Sequence, residues 1–345
     1  MATLKGDKLN AVASAVSTDS PAAIPKSSSE MPVLGGESEY CSIPLNLYVI
    51  GTPITFDLYF YYQRQYVLFR SKGSQWTAED SQKVKSGGFQ GLFGKFKTTK
   101  DHHDYLHSKM KEILSQPNVA TDRKAKVLAE VSAPILEGLF KSHDSSEMIA
   151  SAAELAQSCM VYVSERGSLP ELFKAASDSL SEHAHALFTS AYSIALGRKM
   201  GVQDQAQTFA LGLGGLLHDI GKVKIDHQIL EKPDELDDQE WLIVRQHPEM
   251  GEQILYHRQA VPALTRRIVL EHHERFNGRG YPRGIRNIHT FSKIVSVVDC
   301  FNSLTRNRPW APAMPPYEAL KFMLNQMRSE FDPEVMQQFI SMLSR

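Results

Sequence analysis

The feature that constrains this chain most is an unbroken apolar run, Leu211-Gly212-Leu213-Gly214-Gly215-Leu216-Leu217, that ends in His218-Asp219-Ile220-Gly221-Lys222. A stretch with no polar side chain reads as a helix buried in a core. An imidazole and a carboxylate are then delivered at the end of that helix, where an uncompensated charge is costly and a bound metal would offset it. Lys222 lies four positions beyond His218, so a continued helical turn puts its ammonium on the same side, aimed at whatever anion the metal holds. A His-Asp pair by itself is also consistent with a capped helix end or a satisfied hydrogen bond.

The C-terminal half supplies companions for the pair. His185, His247, His272-His273 and Asp299 all fall beside apolar residues, on segments that read as separate helices. With His218 and Asp219 they make seven candidate donors on five segments, a number that suits two metal ions. Carboxylates can bridge two cations, imidazoles fill the outer positions, and water activated between the metals can attack phosphorus in line. No cysteine joins the set, and nitrogen plus oxygen donors favour iron, with manganese second, over a structural zinc.

From about Ser146 to the end, the chain resembles the HD-GYP family, HD-superfamily hydrolases that degrade the bacterial messenger cyclic di-GMP. The matching motifs are LLHDIGK (Leu216 to Lys222), IL-x-KP (Ile229 to Pro233), HPEMG (His247 to Gly251), HHERFNGRGYP (His272 to Pro282) and VVDCFNSLTRNRP (Val297 to Pro309), in the family's order. The resemblance implies an all-α HD-type helical bundle that hydrolyses the 3′-5′ phosphodiester bonds of cyclic di-GMP to the linear dinucleotide or GMP. It implies His185, His218, Asp219, His247, His272, His273 and Asp299 as metal ligands, with Asp219 bridging. Asp219 and Lys222 would be catalytic, and Lys222, Tyr281 and Arg308 would contact the nucleotide.

Four positions depart from the family pattern. Ser181 stands where members with a third metal carry Glu, which argues for two metals. Asn277, Trp310 and Ala311 stand where Asp, Tyr and a basic residue are usual, altering the ligand pocket but not the metal shell. A second reading is therefore a catalytically weak cyclic di-GMP-binding module that reports the messenger to a partner. A third is hydrolysis of another phosphoester, against which the GYP loop argues.

The N-terminal half reads differently. Residues 1–39 are rich in Ala, Ser, Pro and Gly and predict a flexible tail. Residues 40–145 predict an accessory, sensory domain and residues 146–345 the catalytic one. Strand-like runs at Leu45–Ile50, Phe56–Tyr62 and Tyr66–Phe69 predict a small sheet. Helices are expected over 100–116 and 122–142, the latter kinked or broken near Pro134. Single helices are also expected over 169–201 and 238–257. The fold class is thus α+β, a small mixed α/β domain followed by an all-α bundle. His102, His103 and His107 have no converging carboxylate or cysteine set and read as a solvated helix face.

A formal net charge of −1 gives no general attraction to a nucleic-acid polymer or an anionic membrane. Cys41, Cys159 and Cys300 are widely spaced, which points to a reducing compartment, and no apolar run reaches membrane length. The expectation is a cytoplasmic protein whose ligand is cyclic di-GMP and whose GYP loop or N-terminal domain would meet a signalling partner.

Overall fold

The computed structural model describes residues 39–62, 65–86, 91–141, 146–177, 182–232, 234–307 and 312–344. The chain divides into two compact units, one ending at Leu106 and the other beginning at His107.

The first unit holds strands β1 (Glu39–Pro44), β2 (Leu58–Tyr62), β3 (Gln65–Arg70) and β4 (Gly91–Phe96), with helix α1 (Ala78–Ser86) between the last two. The strands form one antiparallel sheet in the order β1-β4-β2-β3. Its core is Ile54, Leu58, Phe60, Trp76, Val84 and Leu92. The strand expected over Leu45–Ile50 is not there. Ladder pairing runs through Pro44, and Leu45–Leu47 instead closes a 3-10 turn in which the Tyr48 amide donates to the Leu45 carbonyl. The tyrosines pack on one another, Tyr40 stacking on Tyr66 with centroids 3.9 Å apart and meeting the edge of Tyr59.

Helix α2 (Thr99–Ser115) carries the three N-terminal histidines, and here the solvated-face reading is corrected. His102, His103 and His107 are all buried. His102 Nε2 lies 3.0 Å from the Ser42 carbonyl, and burial pushes its pKa down to about 4. The neighbours on this helix, Leu106 and Met110, are core residues, so the apolar stripe takes the histidines with it.

The second unit is helical: α3 (Thr121–Lys141), α4 (Ser146–Val163), α5 (Ser168–Ser177), α6 (Glu182–Lys199), α7 (Gln205–Leu217), α8 (His227–Leu230), α9 (Asp238–Val244), α10 (His247–Leu255), α11 (Ala263–Glu271), α12 (Thr290–Leu304), α13 (Pro316–Asn325) and α14 (Pro333–Leu343). Helix α3 packs against α4, α5 and α6, so it belongs with the helical unit. Pro134 does not end α3, whose buried Leu128, Val131, Ile135 and Leu136 hold the turns on both sides of it.

The central apolar run forms α7 as expected, capped by Asp204, whose side chain accepts from the Gln207 amide. It packs between α6 and α11, while α12 packs on α6 with Phe188, Val295, Val298 and Phe301 in the shared core. The single helix expected over 238–257 is two. Pro248 has no backbone N–H to give the carbonyl of Val244, which meets His247 Nδ1 instead, so the chain turns at Arg245-Gln246 and restarts at His247. The stretch expected as one helix over 169–201 comprises α5 and α6, with residues 178–181 outside those described. No helix among the described residues is long and apolar enough to cross a membrane.

Candidate metal centre

Two close backbone approaches assemble the site. A Cβ on Gly215 would sit 2.7 Å from Ser190 Cα, so only glycine lets the end of α7 lie against α6. That contact brings His218 Nε2 to 3.2 Å from His185 Nε2. A Cβ on Gly221 would sit 1.9 Å from the His247 carbonyl oxygen, so the 3-10 turn Ile220–Lys224 lies directly on the start of α10. His247 Nε2 thereby reaches 3.2 Å from Asp219 Oδ1. His272 follows the end of α11, His273 adjoins it, and Asp299 comes from α12.

Backbone carbonyls fix three of the imidazoles. The Nδ1 atoms of His218, His247 and His272 lie 2.8, 2.7 and 2.8 Å from the carbonyl oxygens of Gly215, Val244 and Val269, each three residues back. A carbonyl only accepts, so each Nδ1 carries a proton and each Nε2 is the atom that faces inward. Yet His247 Nε2 and His272 Nε2 are 3.2 Å apart, and among the described residues no hydrogen-bond donor meets the buried Asp219 Oδ1. Acceptors converge on acceptors where water is excluded, an arrangement that a cation satisfies.

Asp219 divides its two oxygens. Oδ1 faces His247 and His272, at 3.2 and 3.9 Å from their Nε2 atoms. Oδ2 faces His218 and His185, at 3.3 and 3.8 Å. Two donor groups result, Asp219-His247-His272-His273 and His185-His218-Asp219, each able to place one atom per residue within 4.8 Å of the others. Asp299 Oδ1 adds a second carboxylate 3.1 Å from His185 Nε2 and 3.8 Å from His218 Nε2.

The electrostatics agree with this donor set. Burial pushes His272 and His273 well below the usual imidazole range, helped by neighbouring rings, so both keep lone pairs available. Burial opposes charge on His218 too, but Asp219 and Asp299 outweigh it and raise its pKa to about 9. The field that favours a proton there favours a metal cation in its place. Burial would raise the carboxyl pKa of Asp219 and Asp299, yet positive charge beside Asp219 and the hydrogen bond from His185 to Asp299 win, and both are held well below their ordinary value. For Asp219 the strongest of these is Lys222, whose Nζ lies 2.7 Å from Oδ2.

The seven expected donors therefore share one buried site. Lys222 adjoins it, and Tyr281 lies over it, its ring stacked on His273 with centroids 4.6 Å apart. Burial, then the nearby carboxylates, push the Tyr281 phenol up, so it stays protonated and able to donate. Asn277 ties the glycine loop, its amide nitrogen 3.3 Å from Ser329 Oγ and its oxygen accepting from the Arg279 amide. Arg308, Trp310, Ala311, Ser181 and the tail, residues 1–38, lie outside the described residues.

Sequence reasoning missed two supporting residues. Asn302 Nδ2 is 2.7 Å from His185 Nδ1 and 3.0 Å from the His185 carbonyl. Its place three positions after Asp299, on the same helical face, was the available signal. Glu274 is buried and accepts from the Arg283 and Ile285 amides, pinning the loop that presents Tyr281. It adjoins the His272-His273 pair.

Comparison with known proteins adds the following. A family described as HD domain matches residues 163–335, half of the chain. A cyclic di-GMP phosphodiesterase of Pseudomonas aeruginosa is 36% identical over 160 residues, covering 46% of this chain and 38% of that protein. A 3′3′-cGAMP-specific phosphodiesterase of Vibrio cholerae is 36% identical over 152 residues, covering 44% of this chain and 33% of that protein. A cyclic di-GMP phosphodiesterase of Thermotoga maritima is 32% identical over 166 residues, covering 47% and 45%. The chain thus spans less than half the length of these curated relatives. The solved structure of an HDG"Y"P protein from Bdellovibrio bacteriovorus is similar in fold, with a TM-score of 0.65 and 20% identity over 89% of this chain and 100% of that one.

Proposed function

The chain belongs to the HD domain family, and on that premise we propose that it is a metal-dependent phosphodiesterase of the HD-GYP type that hydrolyses the 3′-5′ phosphodiester bonds of cyclic di-GMP. The observation that carries the reading is the division of Asp219, one oxygen toward His247 and His272 and the other toward His218 and His185. Such a carboxylate is suited to bridge two ions, iron first and manganese second by the chemistry of the donors. When bound, a metal pair supplies charge neutralisation of the phosphoryl oxygens and water acidified for attack on phosphorus.

The chain's own residues supply the rest. Backbone carbonyls hold three imidazoles in the tautomer with Nε2 free, so little reorganises when a ligand enters. Lys222, half-buried beside Asp219, places a positive charge where a phosphate would approach. Tyr281, held against His273 by the loop that Glu274 pins, offers a phenol hydrogen over the same place. Arg308 is a third nucleotide contact by its motif position. The sheet unit is assigned an accessory, sensory role because none of the candidate donors falls in its sequence.

The relatives are named for cyclic di-GMP or 3′3′-cGAMP, so the test compares both substrates. Protein purified without oxygen is analysed for metal, loaded with iron or manganese, and incubated with each dinucleotide, and the products are separated chromatographically. Linear dinucleotide or GMP formed from cyclic di-GMP, in step with metal content, is the expected result. No product from either substrate at full metal loading refutes the assignment.

A further inference from the structure

At the mouth of the site stands a cation that the metal centre does not use. Arg245 follows the end of α9 and is exposed. Its guanidinium carbon lies 5.7 Å from the Tyr281 ring centroid and 5.9 Å from that of Trp241, over both faces. No carboxylate is paired with it among the described residues. Trp241 is itself 45% exposed, a large aromatic left at the surface one turn before the ring-held cation. Tyr281 in turn stacks on His273, so Arg245 stands one ring beyond an imidazole of the site.

A guanidinium laid across aromatic faces keeps its N–H edge free and loses rotamer freedom before any ligand arrives. That edge matches two oxygens of a phosphate. Exposed arginines usually find a carboxylate or roam in solvent. This one is held against the ring that covers the reactive centre.

We propose that Arg245, braced by Trp241 and Tyr281, forms a second anion subsite that takes the phosphate of a cyclic dinucleotide not held at the metals. The inference rests on the proposed phosphodiesterase reading and extends it to substrate class. A substrate with two phosphodiesters engages both places, whereas one with a single phosphodiester engages the metals alone. The subsite reads charge and not base, so guanine and adenine dinucleotides depend on it alike.

The test compares wild type, Arg245→Ala and Arg245→Lys, each checked for equal metal content. Three substrates are used: cyclic di-GMP, 3′3′-cGAMP, and bis(p-nitrophenyl) phosphate, which carries one phosphodiester. The expected result is a drop of about ten-fold or more in the ratio of cyclic di-GMP to bis(p-nitrophenyl) phosphate kcat/KM in Arg245→Ala, from loss of one charge-assisted contact. The same ratio for 3′3′-cGAMP falls equally. Arg245→Lys is intermediate, because it keeps the charge without the planar fork. Equilibrium binding of a phosphorothioate analogue of cyclic di-GMP weakens in parallel, and its salt dependence becomes shallower. An unchanged ratio overturns the proposal. So does a loss confined to cyclic di-GMP, which would mark a guanine contact instead. Failure of wild type to cleave either dinucleotide while cleaving bis(p-nitrophenyl) phosphate refutes the cyclic dinucleotide reading itself.

Discussion

Asn302→Leu isolates what an outer hydrogen bond does for the metal site. In the structure Asn302 Nδ2 donates to His185 Nδ1 at 2.7 Å, which leaves the ring proton on Nε2, 3.1 Å from Asp299 Oδ1. A metal at Nε2 needs the other tautomer. Turning the amide over gives up the bond from Nδ2 to the His185 carbonyl but presents its oxygen to Nδ1–H and fixes that tautomer, so Asn302 serves the ring either way. Leucine nearly matches the shape and can do neither, leaving a buried Nδ1–H without an acceptor at a cost of about 1–3 kcal/mol. That cost falls on the metal-bound form, so affinity at the His185 group drops on the order of 10- to 100-fold. Asn302→Asp has the opposite sign, because a carboxylate only accepts and makes the ring a more basic ligand. The assay is competition with a chelator of known affinity for manganese, with thermal unfolding as a check on folding. Equal affinities for wild type, Leu and Asp variants refute the reasoning, as does a Leu variant tighter than wild type.

Three further outcomes follow from the same geometry. Asp219→Ala removes the one residue common to both donor groups and leaves less than one equivalent of metal by elemental analysis, with turnover abolished; full occupancy excludes a bridging role. Lys222→Ala retains metal but lowers kcat/KM for cyclic di-GMP about ten-fold or more, since one charge-assisted contact to phosphate goes; an unchanged rate and affinity show that Lys222 does not face the substrate. The buried His102, with a folded pKa of about 4 against 6.5 unfolded, takes up a proton first in the unfolded chain. Its contribution is complete above pH 6.5 and is lost as pH falls toward 4, by up to about 3 kcal/mol. Urea unfolding of wild type and His102→Gln at pH 7 and pH 4.5 tests this, and an equal acid loss in both excludes His102 as its source.

What the sequence made legible was local. The apolar run from Leu211 to Leu217 announced α7 because every position in it is buried. The break before His247 was missed because periodicity carries across it, and only the amide hydrogen that Pro248 lacks ends the ladder there. The sheet was read one segment late, since Leu45–Ile50 is as apolar as a strand and its neighbour Glu39–Pro44 is not. His102, His103 and His107 looked polar and solvated, but burial depends on what the rest of the unit lays over the helix, which no spacing records. The seven donors were found through motif order, whereas Asn302 and Arg245 became visible only when distant segments met: His185 with α12, Arg245 with the Tyr281 loop.

The two short imidazole contacts have a consequence for the chain as a polymer. His185 and His218 are 33 residues apart and His247 and His272 are 25 apart. An ion held by each pair would be a removable cross-link closing two loops, on the order of 3 kcal/mol each by the chain entropy it takes from the unfolded ensemble. Asp219 is common to both donor groups and would join the two cross-links at one residue. Loading and stripping metal would then tighten or slacken the helices that carry these histidines together, in the way that oxidation and reduction would for a pair of disulfides.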